Sequence, residues 1–430
     1  MRKKKNKASK RAHFQSLPLI HPNAAGIDVG AKEHVVAVPC DRDPQPVRTF
    51  QAFTPDLHEL AAWLKRCGIQ TVALESTGIY WLSLYDVLEE HGFEIRVVNA
   101  RHVKHVPGRT KTDVLDCQSI QKLHSFGLLN GSFRPEEQIR KLRTYMRLRD
   151  NLVVESTQAI HHMQKALFEM NVQLSNVISD ITGESGLRII DAILAGERDP
   201  EQLASLCSTR IKASRRTVAK VLHGNWEEAL LFCLKTALEI YRFTQNKIQD
   251  CDKCVERQLA AFEIRTALPK ATGNLRMQLH QVSGVDLTKI PGIKEQSAQI
   301  IISEVGLDMG PWSTEKQFSS ILGLCPNNLI TGGKILRRIT RKVYNRAADT
   351  LRLCAQSLTH SKSALGAKYR RLRAGLGAPK AIVAMAHHLA RLVYRMLRYG
   401  ENYVEKGIEH YERKFPTPAH QMAKKGSSFT

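Results

Sequence analysis

Residues 26–38 read GIDVGAKEHVVAV: two apolar runs joined by a turn, with a carboxylate, Asp28, inside the first. The branched apolar residues make both runs strands, but aspartate is depleted from strands and costly to bury unless it is paired or holds a metal. The segments that follow alternate. PDLHELAAWLKRCG (55–68) has helical spacing with Gly68 to end it, and TVALE (71–75) is a short buried strand finished by a second carboxylate, Glu75. STG (76–78) turns into a helix stopped by Gly92, and FEIRVVN (93–99) is another strand. A further helix begins in TDVLDCQSIQKLHSFGLL (112–129), with Thr112 at the capping position and Asp113 and Asp116 on one face. Such alternation implies an α/β sheet covered by helices.

Strand signals stop near residue 135. Apolar residues recur at helical spacing over 139–170 and again over 236–264, with a more irregular stretch between, as in an antiparallel coiled-coil arm. Residues 281–400 are helical with a different texture. IPGI (290–293) places a turn before a helix, KQFSSILGLCPNNLITGGKILRRITRK (316–342) is loop-rich and basic, and APKAIVAMAHHLARLVYRML (378–397) is a mostly apolar helix. The expected organisation is a basic arm (1–22), an α/β domain (23–145), a helical linker or dimerisation region (146–280), a mostly α-helical domain (281–405) and a tail (406–430).

The formal net charge is +23, and residues 321–430 alone hold 21 Lys and Arg against 5 Asp and Glu. An excess of that size points to a polyanion, nucleic acid before an acidic membrane. No run approaches the roughly 18 apolar residues of a membrane span, and no apolar segment follows the basic opening MRKKKNKASKRAH as it would in a signal peptide. The nine cysteines are odd in number and scattered, which fits reduced thiols in a bacterial cytoplasm, on the nucleoid when DNA is bound. CDKC (251–254) is a lone pair inside a helical pattern, a weak signal for zinc.

Asp28, Glu75, Asp113 and Asp116 come from two strands and one helix, and strand ends are where ligands gather in an open α/β sheet. Four carboxylates there suit one or two Mg²⁺ ions, which prefer oxygen ligands and serve phosphodiester cleavage. Each acid also has a local explanation. Asp28 can start the turn at Gly30, Glu75 can cap the next helix, and Asp113 and Asp116 suit a helix dipole in a first turn. The basic run RHVKHVPGRTK (101–111), with Lys111 at its end, tilts the balance toward a metal site on nucleic acid.

GIDVGAKEH, ALESTGIYW and KTDVLD, followed by IPGI and LGLCPNN-x-x-TGGK, resemble the transposases of the insertion sequence 110 family, which are related to Piv-type DNA invertases. The resemblance covers about 24–145 and 281–400 and leaves the middle unmatched. It implies a RuvC-like, RNase H-like N-terminal domain whose DEDD metal site falls on Asp28, Glu75, Asp113 and Asp116. It also implies a coiled coil that mediates assembly, a C-terminal transposase domain with a serine nucleophile, and a noncoding bridge RNA that pairs with target and donor DNA. A homodimer, or a tetramer on DNA, is expected. Where the family has Ser-Gly, this chain has Thr331 and Gly332. Threonine keeps the attacking hydroxyl but adds a methyl that crowds the attack and stiffens χ1. Ser319 and Ser320 are the neighbouring alternatives. Gly332, Gly333, Lys334, Arg337, Arg338, Arg341 and Lys342 form the expected nucleic-acid contact. IPGI resembles a phosphate-binding helix-hairpin-helix turn, or is a plain turn. The rival readings are a junction-resolving nuclease, which needs the acids without the hydroxyl, and a decayed copy that only binds nucleic acid.

Overall fold

The computed structural model describes residues 18–99, 113–129, 131–266, 274–340, 343–400 and 403. Lys111, Arg341, Lys342, the capping Thr112, the run 101–111 and most of the two expected tails lie outside them. The chain divides into two compact units, Met1–Arg134 and Pro135–Thr430.

The first unit is built on β1 (Ala24–Val29), β2 (Glu33–Ala37), β3 (Val47–Gln51), β4 (Thr71–Glu75) and β5 (Glu94–Val98), in the spatial order β3-β2-β1-β4-β5. β1 to β3 form an antiparallel meander, while β4 runs parallel to β1 and β5 parallel to β4. Side chains alternate across the sheet. Ile27, Val36, Val72 and Leu74 meet Leu60, Trp63 and Leu64 of α1 (Thr54–Arg66) and Leu84 and Leu88 of α2 (Trp81–Glu90) on one face. On the other face, Ala73, Val98, Val35 and Ala37 receive Ile120 and Cys117 of α3 (Asp113–Ser125). β3 has no counterpart in the expected strands. It is an edge strand whose one fully buried side chain, Phe50, leaves little apolar pattern to read.

α3 is tied to β4 by His124, whose Nε2 lies 2.9 Å from Thr71 Oγ1 and whose ring packs on His21 at 5.0 Å. Burial pushes the His124 imidazole down to about 4, and the charges of His21 and Arg96 act in the same direction. The folded state therefore disfavours a proton that the unfolded chain accepts near the ordinary value of 6.5. Stability from neutral His124 is complete above about 6.5 and is lost as pH falls from there to about 4. Urea unfolding across that window should show a loss on the order of 2–3 kcal/mol that His124→Gln flattens. His34, also pushed down by burial, contributes with the same sign.

In the second unit α4 (Glu137–Glu169) and α8 (Glu228–Ala260) run antiparallel. Arg149 donates to Asp252 at 2.6 Å, Gln245 donates to Ser156 at 2.8 Å, and Leu152, Ile248 and Cys251 fill the seam between them. Cys251 of the CDKC pair is thus core. The expected boundary at residue 145 lies inside α4. The irregular stretch folds into α5 (Glu184–Leu194), α6 (Pro200–Ser205) and α7 (Arg215–Val221). Their Ile189, Ile193, Leu203 and Val218 close a core with Met163 and Leu234 of the long helices.

The remainder comprises α9 (Leu275–Ser283), α10 (Glu295–Val305), α11 (Glu315–Ile321), a ribbon of β6 (Pro326–Thr331) and β7 (Lys334–Thr340), α12 (Arg346–Ser357), α13 (Ala364–Leu376) and α14 (Ala378–Tyr399). The loop-rich, basic segment therefore contains a two-stranded antiparallel ribbon not assigned from the sequence. In IPGI, Ile290 and Ile293 are buried, and a Cβ on Gly292 would meet the Cys354 carbonyl at 2.7 Å, so this turn packs directly on α12.

Glu304, with a side chain only 6% exposed, binds α10 to α4 by accepting from Arg147 Nε at 3.0 Å and Nη2 at 2.9 Å, while Arg143 Nε donates to the Ser303 carbonyl at 3.1 Å. Removing the acid takes both of Arg147's carboxylate bonds and the charge beside the largely covered Arg143, which keeps its backbone acceptors. Glu304→Ala should cost about 1–3 kcal/mol in urea unfolding, with Glu304→Gln losing less.

Candidate active site

β1 and β4 are paired in parallel with Ile27 opposite Leu74, so the next residue on each strand is a carboxylate, Asp28 and Glu75. Neighbouring strands lie about 5 Å apart, and alternation puts both acids on the face that α3 covers. The helix reaches that face through Gly26. A Cβ there would meet the Gln121 backbone nitrogen at 2.2 Å and the Cys117 carbonyl at 2.5 Å, so helix backbone rests on strand backbone. Gln121 Nε2 fastens the contact by donating to the Ala24 carbonyl at 3.3 Å and to Ser125 Oγ at 2.9 Å.

This seating brings the first turn of α3, with Asp113 and Asp116, to the ends of β1 and β4. All four predicted acids line one cleft of about 520 Å³, whose wall continues through the Gly30–Glu33 turn and Thr77. Glu75 is buried and accepts from Thr77 Oγ1 at 3.3 Å, Asp28 and Asp116 are half-buried, and Asp113 is exposed. Cys117 lies behind them. Burial pushes its thiol up to about 12, the Gln118 amide acts the other way, and the charges of Asp28 and Asp116 raise it further. Lys32 on the cleft wall and Thr77 had no signal of their own in the sequence.

The donor set suits a hard divalent cation, since the predicted acids offer oxygen alone around one open cleft. Among the described residues no group of three His, Cys, Asp or Glu side chains stands close enough to hold an ion. The fold thus gathers the acids around a common space without a preformed chelate. A second cleft, of about 590 Å³, lies between α4, α8, α9 and α10 in the other unit. Two of its acids, Asp252 and Asp150, are occupied by Arg149 and Arg346, so it offers no comparable set.

Thr331 belongs to the second unit. It is the last residue of β6, paired with Lys334 across a two-residue turn in which Gly332 has φ +55° and Gly333 φ +76°. Positive φ at both central residues is what a tight hairpin of this kind demands. Among the described residues, a Cβ on either glycine would meet nothing within 4 Å, so these two positions are uncrowded. Thr331, Lys334 and Arg337 are exposed, and Arg338 continues β7. Ser319 is wholly buried and donates to the Glu315 carbonyl at 2.8 Å, the packed and bonded setting of a structural helix serine. Ser320 is half-buried in the same helix. Asn345 caps α12 by accepting from the Ala348 amide at 3.1 Å, and Tyr344 before it is fully exposed.

The seating of α3 is open to test. Gly26→Ala should lift the helix and cost about 1–3 kcal/mol in unfolding measurements. Mg²⁺ or Mn²⁺ should raise the Tm of the parent protein, and Gly26→Ala should abolish that rise, as Asp28→Asn should do without disturbing the fold.

Among the described residues no helix is long and apolar enough to cross a membrane. A comparison with curated proteins gives no match. Two transposase family models do match, the DEDD transposase of IS110 over residues 25–172 and the Transposase IS116/IS110/IS902 family over residues 286–370. The first spans the acid cleft and runs through α4, and the second begins just before IPGI and takes in the ribbon. With the fold's carboxylates and hydroxyl falling inside those matched segments, the chain belongs to the IS110 family of transposases.

Proposed function

We propose that this transposase cuts and rejoins DNA strands through two separate groups, the carboxylates of the β1–β4–α3 cleft and the hydroxyl of Thr331. One observation carries the reading: four acids distant in the chain line a single cleft, as a DEDD centre requires. The strand order β3-β2-β1-β4-β5, with an antiparallel meander followed by parallel strands, supports an RNase H-like identity for the unit.

Asp28, Glu75, Asp113 and Asp116 would hold Mg²⁺, which when bound polarises a phosphoryl oxygen and stabilises a departing one. The chain's own residues do the rest. Lys334 and Arg337 position a phosphate, and the Thr331 hydroxyl attacks it. The Oγ1–P bond forms as the bond from phosphorus to one deoxyribose oxygen breaks. The hydroxyl proton passes by way of a carboxylate to the departing oxygen, which leaves as a free sugar hydroxyl. Attack by another strand's hydroxyl reverses the step and frees Thr331, so bond energy is kept for rejoining. The long pair α4–α8 is a coiled coil for assembly, and a dimer, or a tetramer on DNA, brings the two groups together. The charge of +23 suits a chain that also carries an element-encoded guide RNA.

Thr331→Ala should bind DNA with unchanged affinity but yield no covalent protein–DNA adduct on denaturing gels, whereas Thr331→Ser should restore it. Asp28→Asn should lower strand cleavage roughly a hundredfold or more. An adduct of undiminished yield from the alanine variant would remove Thr331 from the mechanism.

A further inference from the structure

We propose that the β6–β7 ribbon is a wedge for double-stranded DNA, in which Ile330 and Ile335 enter between base pairs beside the phosphate approached by Thr331. The inference rests on the reading of this ribbon as DNA-facing and adds a mechanical task to it.

The pairing sorts the ribbon into two faces. Leu329 lies opposite Arg337, Ile330 opposite Ile335, and Thr331 opposite Lys334, with a register shift between Leu329 and Ile330. Because side chains alternate along a strand, Thr331, Lys334, Arg337 and Leu329 share one face, and Ile330 and Ile335 share the other. Leu336 is the extra residue where the register shifts, the arrangement of a β-bulge. The hydroxyl thus has two cations on its own face and an apolar pair behind it.

That apolar pair is uncovered. Ile330 is 58% exposed, Ile335 43%, Leu329 58% and Leu336 64%, and every residue of β6 is exposed. A two-stranded ribbon is marginal by itself, and large apolar side chains gathered at its tip mark a surface that meets something.

Charge identifies the occupant. Between Glu315 and Arg346 the sequence has no acidic residue and six basic ones, Lys316, Lys334, Arg337, Arg338, Arg341 and Lys342. Protein surfaces mix both signs, whereas a stretch that is only cationic complements a phosphate backbone. A two-stranded ribbon is narrow enough to enter a DNA groove, and cations flanking isoleucine or leucine are the means by which groove-binding proteins part a base step. Parting the step next to the bound phosphate would turn that phosphate toward the hydroxyl on the opposite face.

The test uses the full chain and a duplex of roughly four helical turns carrying 2-aminopurine in its TA steps, the steps most easily unstacked, in EDTA so that strands stay whole. At saturating protein the fluorescence should rise roughly twofold or more, as unstacked bases do. Ile330→Ser with Ile335→Ser, both on exposed positions, should keep the thermal melt and hold Kd within about threefold while abolishing the rise. Lys334→Ala with Arg337→Ala should weaken binding roughly tenfold or more, yet restore the rise once saturated. Thr331→Ala should leave the rise intact, so loss of the covalent adduct and loss of unstacking are separable results. The wedge is refuted by a full rise from the double serine variant, or by parent protein that binds the duplex without any rise or does not bind it. A serine variant that changes only the oligomeric state in sedimentation would refute it too, and would make this face a contact between copies of the chain.

Discussion

The contact between α3 and β1 at Gly26 is the constraint on which the acid cleft depends. With no side chain at that position, the helix axis drops until the Cys117 carbonyl and the Gln121 amide lie against the strand. Only at that depth does the first turn of α3 stand at the ends of β1 and β4, where parallel pairing has already brought Asp28 and Glu75 side by side. Any larger residue at 26 would separate the helical acids from the strand acids while leaving each element formed. The site is therefore assembled by a backbone approach and not by attraction among the carboxylates, which repel one another.

The two chemical groups have opposite settings. Glu75 is buried, its carboxylate supported by the Thr77 hydroxyl, in a unit whose sheet is covered on both faces. Thr331 stands on a ribbon whose β6 residues are all exposed, in a stretch of sequence without a carboxylate. Under the proposed mechanism neither group suffices. The cleft's Thr77 hydroxyl is engaged with Glu75, and the ribbon has no carboxylate to accept a proton. Rigid scaffold elsewhere makes such a division workable, and the Glu304 clamp between α10 and α4 is one place where the second unit is held stiff.

Asp28 and Glu75 stood out because a carboxylate in an apolar strand violates the local pattern, whereas Asp113 and Asp116 are read from their spacing on one helix face. The α4–α8 pair was legible because each helix sustains its period over 33 residues. What escaped notice lacked a local signal. β3 pays for its place with a single buried phenylalanine. α6 and α7 are 6 and 7 residues long, too short for a period to show. Arg147 and Glu304 are 157 positions apart. The ribbon is different, because Gly332-Gly333 between β-branched runs is a hairpin signal in plain sight. The segment reads as loop-rich and basic, and the strands on either side of those glycines were left unassigned. Gly26 carried no signal at all, since a glycine's need to be small is visible only against the neighbour that presses on it.

The same setting bears on threonine in place of the family's serine. At the end of an exposed strand a β-branched residue suits the backbone better than serine does. The adjoining glycines leave open space on their own Cβ positions, so the tip is not crowded by the chain. The extra methyl therefore costs the fold little, and under the proposed mechanism its effect falls on the approach to phosphorus, where it narrows the permitted χ1 and presses on the substrate. A wedge that turns the phosphate outward relieves that crowding on the substrate side. On this argument the threonine and the apolar face behind it belong to one adaptation, with the ribbon supplying the room that the side chain takes away.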